Sequence, residues 1–281
     1  MVDSPMSNAQ AAFIELNNMG AEVSHLKQSD FYMLTARPPA HFENYVHDEK
    51  TCTIRFDICM GAVRDSGSLN YLAEPALDAF EGKFTLTARA DHFSFDDSTT
   101  GENITVYTPD SLLWWKSRNR AGILGFERAR ELSTYDLLYV GIAKEGDSYS
   151  RLIERGHKQR GLILSNEQLR GAGPRVADET YIFFFRVDPM VFRSMDPNVE
   201  IEDEDLDMSI QEKRYVADAE KAFIKLLDPT YNRAKYPNYP KGTDGLYGEG
   251  LQRYGYALAE EMILNTPTEQ ICGARAPWGG L

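Results

Sequence analysis

Apolar and polar positions along this chain follow two periods, and these divide it into helices and strands. Helical spacing runs from Asn8 to Asn18, where Ala11, Ala12, Ile14 and Leu16 recur, and from Ala217 to Leu227, where Asp228-Pro229 ends the run. Ser111–Arg120, with Leu112, Leu113, Trp114 and Trp115, predicts an amphipathic helix with Ser111 as its N-cap. Tyr149–Leu164 predicts a further, largely helical segment. Leu72, Leu77 and Phe80 repeat at near-helical spacing, with Pro75 marking a start or a break among them. Alternation predicts strands at Phe31–Thr35, Thr53–Ile58, Phe84–Ala88, Ile104–Thr108 and Tyr135–Ile142. Tyr181–Val187 (Tyr-Ile-Phe-Phe-Phe-Arg-Val) is the most apolar run, so it predicts a central strand buried on both faces.

Together these elements predict an α/β (α+β) fold, a small sheet flanked by helices. They divide the chain into a mixed α+β region over 1–105, a core over 106–235, and a Tyr/Gly-rich extension over 236–281 that packs on the core. Asp96–Asn103 is a turn by composition. Val199–Asp207 consists mainly of Asp and Glu and predicts a flexible acidic insertion near 196–213.

Composition narrows the class. With 42% hydrophobic and 26% charged residues the chain is globular, so wholesale disorder and fibrous repeats are excluded. No apolar run reaches about 18 residues, which excludes a membrane-spanning helix. Met1–Gln10 carries Asp3 and no basic residue, unlike a secretory signal. Cys52, Cys59 and Cys272 form no CxxC pair and read as reduced thiols of a cytoplasmic protein. A net charge of -13 argues against coating nucleic acid by charge alone. The charge is uneven, however. Between Leu112 and Arg175, Lys and Arg outnumber Asp and Glu, and a phosphate-bearing ligand would be sought there.

Three features follow one another in that region and beyond it. A strand carries Leu138-Tyr139-Val140-Gly141, a helical segment carries Arg151 and reaches His157, and a helix carries Glu220-Lys221-Ala222-Phe223-Ile224 before Pro229-Thr230-Tyr231-Asn232. In this order they resemble the GIY-YIG nuclease superfamily, small α/β domains of homing endonucleases, excision-repair nucleases and some restriction enzymes. The resemblance spans about 107–235. It implies a divalent-metal-dependent endonuclease hydrolysing phosphodiester bonds in DNA, with restriction or phage defence as its setting. Glu220 would hold one Mg²⁺ (or Mn²⁺) that keeps most of its waters. Arg151 would pair with the scissile phosphate, and Tyr139 would accept or relay the proton of water. Asn232 would brace the exit from the helix, and His157 stands as a reserve general base. Lys144 is a phosphate-contact candidate, and Lys116, Arg118 and Arg120 would extend the phosphate track. A homo-oligomer stays open.

The first motif of that family, Gly-Ile-Tyr on the opening strand, has no clean match. Gly122-Ile123-Leu124 offers leucine in place of the tyrosine, while Tyr107 and Tyr135 offer a tyrosine on a strand. Two other readings compete. Asp218-Ala219-Glu220-Lys221 could supply half of a PD-(D/E)XK site, with Asp188 as the other acid. Alternatively, the scaffold is a catalytically inactive nucleic-acid- or protein-binding regulatory module.

Overall fold

The computed structural model describes residues 1–17, 19, 23–171, 173–192 and 210–275. The chain opens with β1 (Met6–Ser7), helix α1 (Asn8–Leu16) and β2 (Phe31–Ala36). Next come β3 (His41–Asp48), β4 (Thr53–Met60), β5 (Val63–Asn70), β6 (Phe84–Ala88), β7 (Phe93–Asp97) and β8 (Asn103–Tyr107). Helix α2 (Pro109–Ser117), β9 (Ile123–Gly125) and β10 (Thr134–Ile142) follow. Helix α3 (Lys158–Asn166), β11 (Thr180–Phe185), helix α4 (Glu212–Leu227), β12 (Ile263–Asn265) and β13 (Gln270–Cys272) complete the order. The fold class is α+β.

Six strands form the main sheet in the order β1-β11-β2-β10-β12-β13. β2 lies antiparallel to both β10 and β11, and all six of its residues are buried. Strand alternation sorts them. Phe31 and Met33 pack with Val216, Ala219, Ile224 and Leu227 of α4, while Tyr32, Leu34 and Ala36 pack with Ala11, Leu152 and Ile163 on the other face. β11 is buried as its apolar run predicts, but its outer neighbour β1 is only two residues long, so β2 and β10 form the middle of the sheet.

β2 and β10 are paired neighbours, Ala36 opposite Asp136, yet residues 37–133 lie between them in sequence. That excursion builds a four-stranded sheet (β3-β4-β5-β9) and a three-stranded sheet (β6-β7-β8) around a separate aromatic core of Phe42, Phe56, Phe93, Phe95 and Tyr107. The boundary expected at 105/106 therefore does not follow the sheets. Residues 1–36 belong to the main sheet, and 37–133 are an insertion within it. Arg37 marks the joint. It is buried, bonds Asp110 and the Leu132 carbonyl, and lies 4.5 Å from the Tyr135 ring centroid.

Other boundaries shift for local reasons. The α2 N-cap is Thr108, which exchanges bonds with Ser111 in a capping box, so Ser111 is the third helical residue. The segment expected to be helical over 149–164 is a π-helical turn at Ser150–Glu154, a break at Gly156 with φ 69°, and then α3. The described part of the extension, 236–275, packs on α4 and also adds to the sheet edge, since β12 runs parallel to β10. Val199–Asp207 lies outside the described residues, and α4 already begins at Glu212.

Candidate active site

Tyr32, Tyr139, Arg151 and His157 come from three parts of the chain and meet beside β2. Alternation turns Tyr32 to the face away from α4. On β10 the register shifts between Leu137 and Tyr139, a bulge that leaves Leu138 and Tyr139 together on the Tyr32 side. The Tyr32 and Tyr139 rings are stacked, with centroids 6.1 Å apart and planes 28° apart. This approach requires glycine at 141: a Cβ there would stand 2.6 Å from Tyr32 Oη and 2.8 Å from Tyr139 Cε1.

The Tyr32 hydroxyl is the centre of the cluster. Arg151 Nε donates to it at 3.4 Å, and His157 Nε2 lies 3.3 Å away. Arg151 is presented by the π-helical turn, whose start is held by Asp147 accepting from the Ser150 N–H and hydroxyl at 2.7 and 2.8 Å. From the other face of the sheet, α4 brings Glu220 within electrostatic reach of Tyr32, Tyr139 and Arg151.

Burial dominates the ionisation of this group. It pushes Tyr139 upward, with the neighbouring Tyr32 and Glu220 adding to the effect, so Tyr139 is a protonated hydroxyl at neutral pH rather than a phenolate. Tyr32 is also raised by burial, but Arg151 opposes this by favouring its charged form. His157 falls to about 4 through burial and the charges of Arg151 and Arg160, so it is neutral at pH 7. Glu220 is raised by burial against the pull of Lys144, Arg151 and Lys221.

Glu220 opens on a cleft of about 780 Å³ that is also lined by Lys144, Lys213, Asp30, Tyr236 and Asp244. Its donor set fits one hard cation. The partly buried Glu220 carboxylate, with Asp30 and Asp244 on the same lining, faces a space with room for retained waters, and Lys144 on that lining favours an ion that arrives with a phosphate. Among the described residues, the metal-ligand side chains that cluster closely are elsewhere. They are His41, Glu43 and Cys59 on β3 and β4, where Arg64 already pairs with Glu43.

The remaining sequence candidates separate clearly. Asn232 is buried and bonds both backbone groups of Val140, accepting from its N–H at 2.9 Å and donating to its carbonyl at 2.8 Å. Tyr107 lies in the insertion, stacked on Phe93 and bonded to Glu74, and takes no part in the cluster. Tyr135 is buried against Arg37 and donates to Asp110, and Gly122-Ile123-Leu124 lies at and within β9 of the insertion. Arg118 pairs with Glu260 at 2.8 Å over the Trp114 ring, and Arg120 pairs with Glu74 at 2.9 Å over Trp115. These two arginines are committed within the chain. Lys116 is partly buried on the same helix.

The residue that sequence reading missed is Tyr32. Its strand was legible, but its partner strand lies beyond the whole insertion, so nothing local linked it to Tyr139. Asp218-Ala219-Glu220-Lys221 sits on α4, not on a strand. Buried Asp218 accepts from Tyr239, Tyr256 and the Leu246 N–H. The PD-(D/E)XK arrangement is thereby removed. No protein-family model matches this chain, and neither a curated protein nor a solved structure matches it.

Proposed function

We propose that this chain is a divalent-metal-dependent endonuclease that hydrolyses phosphodiester bonds in DNA through a GIY-YIG-like site. The observation that supports it is the convergence of Arg151 and His157 on Tyr32, beside Tyr139 and within reach of Glu220. In this reading Tyr32, on β2, is the tyrosine of the first motif. Tyr107 has no part in it.

Phosphodiester hydrolysis needs an activated water, neutralised charge on phosphorus and a stabilised leaving oxygen. Arg151 presents a guanidinium fork that can pair with a non-bridging phosphate oxygen. Tyr32 is fully buried and holds Arg151 and His157 in place from behind, while His157, partly buried and neutral, is able to accept the proton of the attacking water. A phosphate beside Arg151 offsets one of the charges holding His157 down, so the imidazole becomes a better base when substrate arrives. Mg²⁺ or Mn²⁺ bound by Glu220 would supply charge neutralisation at the leaving oxygen. Restriction or phage defence in the cytoplasm is the role this activity would serve.

Supercoiled plasmid with Mg²⁺ or Mn²⁺, against EDTA, is the direct test. The wild-type chain should nick and linearise it only with metal. Glu220→Gln should abolish cleavage while circular dichroism and the melting temperature stay near wild type. Wild-type nicking by that variant would remove Glu220 from the site.

A further inference from the structure

We propose that Tyr236 determines which strand the Glu220 cleft accepts, by stacking its ring on an unpaired nucleobase next to the phosphodiester to be cut. This rests on the nuclease reading above.

Tyr236 lies in the Tyr- and Gly-rich segment that follows α4. Both sides of it are anchored. Before it, Asn232 bonds Val140, and Lys235 donates to the Pro229 carbonyl at 2.7 Å while pairing with Asp228 at 2.6 Å. After it, the Tyr239 N–H donates to the Tyr236 carbonyl at 3.0 Å, and the Tyr239 hydroxyl donates to the buried Asp218 of α4 at 2.9 Å. Between these anchors Tyr236 is held at φ 44°, in the left-handed region that bulky residues rarely adopt. A glycine would fit that backbone without strain.

The constraint puts an aromatic ring on the wall of the cleft. Tyr236 lines it together with Glu220, Lys144, Ile142 and Asp244, and its phenol is within electrostatic reach of Glu220, Asp244 and Tyr139. The ring is only partly buried, and among the described residues its hydroxyl makes no hydrogen bond. What the cleft gains from tyrosine is therefore a flat apolar face beside a carboxylate and a cation. A nucleotide presents the complementary pair: a base with a π face and a phosphate for Lys144. In a duplex the base faces are stacked on one another, so this wall selects a base that is unpaired or already displaced.

The test uses the full chain with Ca²⁺ in place of Mg²⁺, so that binding is read apart from cleavage. The ligands are a single-stranded oligonucleotide carrying 2-aminopurine beside the mapped cut position, and its fully paired duplex. Wild type should quench the probe and bind the single strand more tightly than the duplex. Tyr236→Phe should match it, because the ring is kept. Tyr236→Ala and Tyr236→Gly should each weaken single-strand binding by about 10-fold, as loss of one base–aromatic stack does, with little effect on the duplex. The glycine variant suits the backbone but loses the ring's packing on the core beneath α4, so circular dichroism and the melting temperature are read alongside. Single-strand affinity unchanged in the glycine variant, or lost equally in Tyr236→Phe, overturns the proposal while leaving metal-dependent plasmid cleavage intact. A wild-type chain that neither binds nor cuts any strand overturns the nuclease reading, and this proposal with it.

Discussion

Tyr32 and Tyr139 carry the same side chain a few ångströms apart, and their surroundings give them different chemistry. Arg151 donates to the Tyr32 oxygen and His157 lies beside it, so that buried oxygen fixes the positions of both. Among the described residues, Tyr139 makes no hydrogen bond to either of them and is only partly buried, so it is the tyrosine that solvent can reach. Tyr32→Phe should therefore slow plasmid nicking by about 10²-fold, the loss that misplacing a catalytic group causes. Tyr139→Phe should cost less, and neither should move the melting temperature by more than a few degrees. Equal losses in the two variants would show that Tyr32 has no special part. Gly141 belongs to the same argument. It is the absence of a side chain that lets the two rings share one face.

The edge of β10 does the positioning at the scale of elements. β12 pairs with β10 only at Thr134–Asp136, so backbone groups further along that edge have no strand partner, and buried N–H and C=O groups must be satisfied. Asn232 meets this need by placing its amide against both groups of Val140, while the Tyr231 N–H bonds the Leu138 carbonyl at 2.9 Å. The segment leaving α4 thus ties the helix that carries Glu220 to the strand that carries Tyr139. Asn232→Ala should lower unfolding stability by about 1–3 kcal/mol, the cost of leaving a buried backbone group unsatisfied. Urea denaturation reads this directly, and an unchanged midpoint would mean that this edge of β10 is held by something else. Cleavage should fall in the folded protein as well, since Glu220 and Tyr139 lose their shared support.

On the scale of the whole molecule, an independently cored insertion hangs between two neighbouring strands of the main sheet. Its joint is an ion pair. Arg37 is 2% exposed and Asp110 8% exposed, and Asp110 also accepts from the Tyr135 hydroxyl at 2.6 Å. Removing one charge strands the other in a low-dielectric setting, so Arg37→Met alone should destabilise by about 3–5 kcal/mol. Adding Asp110→Leu should recover most of that loss, because the second uncompensated charge is gone. A double variant no more stable than Arg37→Met would show that the pair is needed for the docking geometry and not only for charge balance. The arginines of α2 serve the same joint. Arg118 reaches Glu260, which precedes β12, and so binds the insertion to the edge of the main sheet.

The α+β class, the positions of most strands, the long helix ending at Asp228-Pro229, and the order Tyr139, Arg151, Glu220, Asn232 were all legible in the sequence. These are local or ordered properties: period-2 and helical spacing, a terminating proline and short motifs in series. Three things were decided by tertiary structure. Tyr32 joined Tyr139 because β2 and β10 pair across an insertion, and sequence distance carries no trace of that pairing. Tyr107, Arg118 and Arg120 left the site because their partners, Glu74 and Glu260, lie far from them along the chain. Tyr236 entered the cleft because anchors on both sides force a backbone conformation that its own preferences oppose. Spacing along a chain reports which face of an element a side chain takes. Which elements those faces then meet depends on long-range packing, and the chemistry of this site is assembled at those meetings.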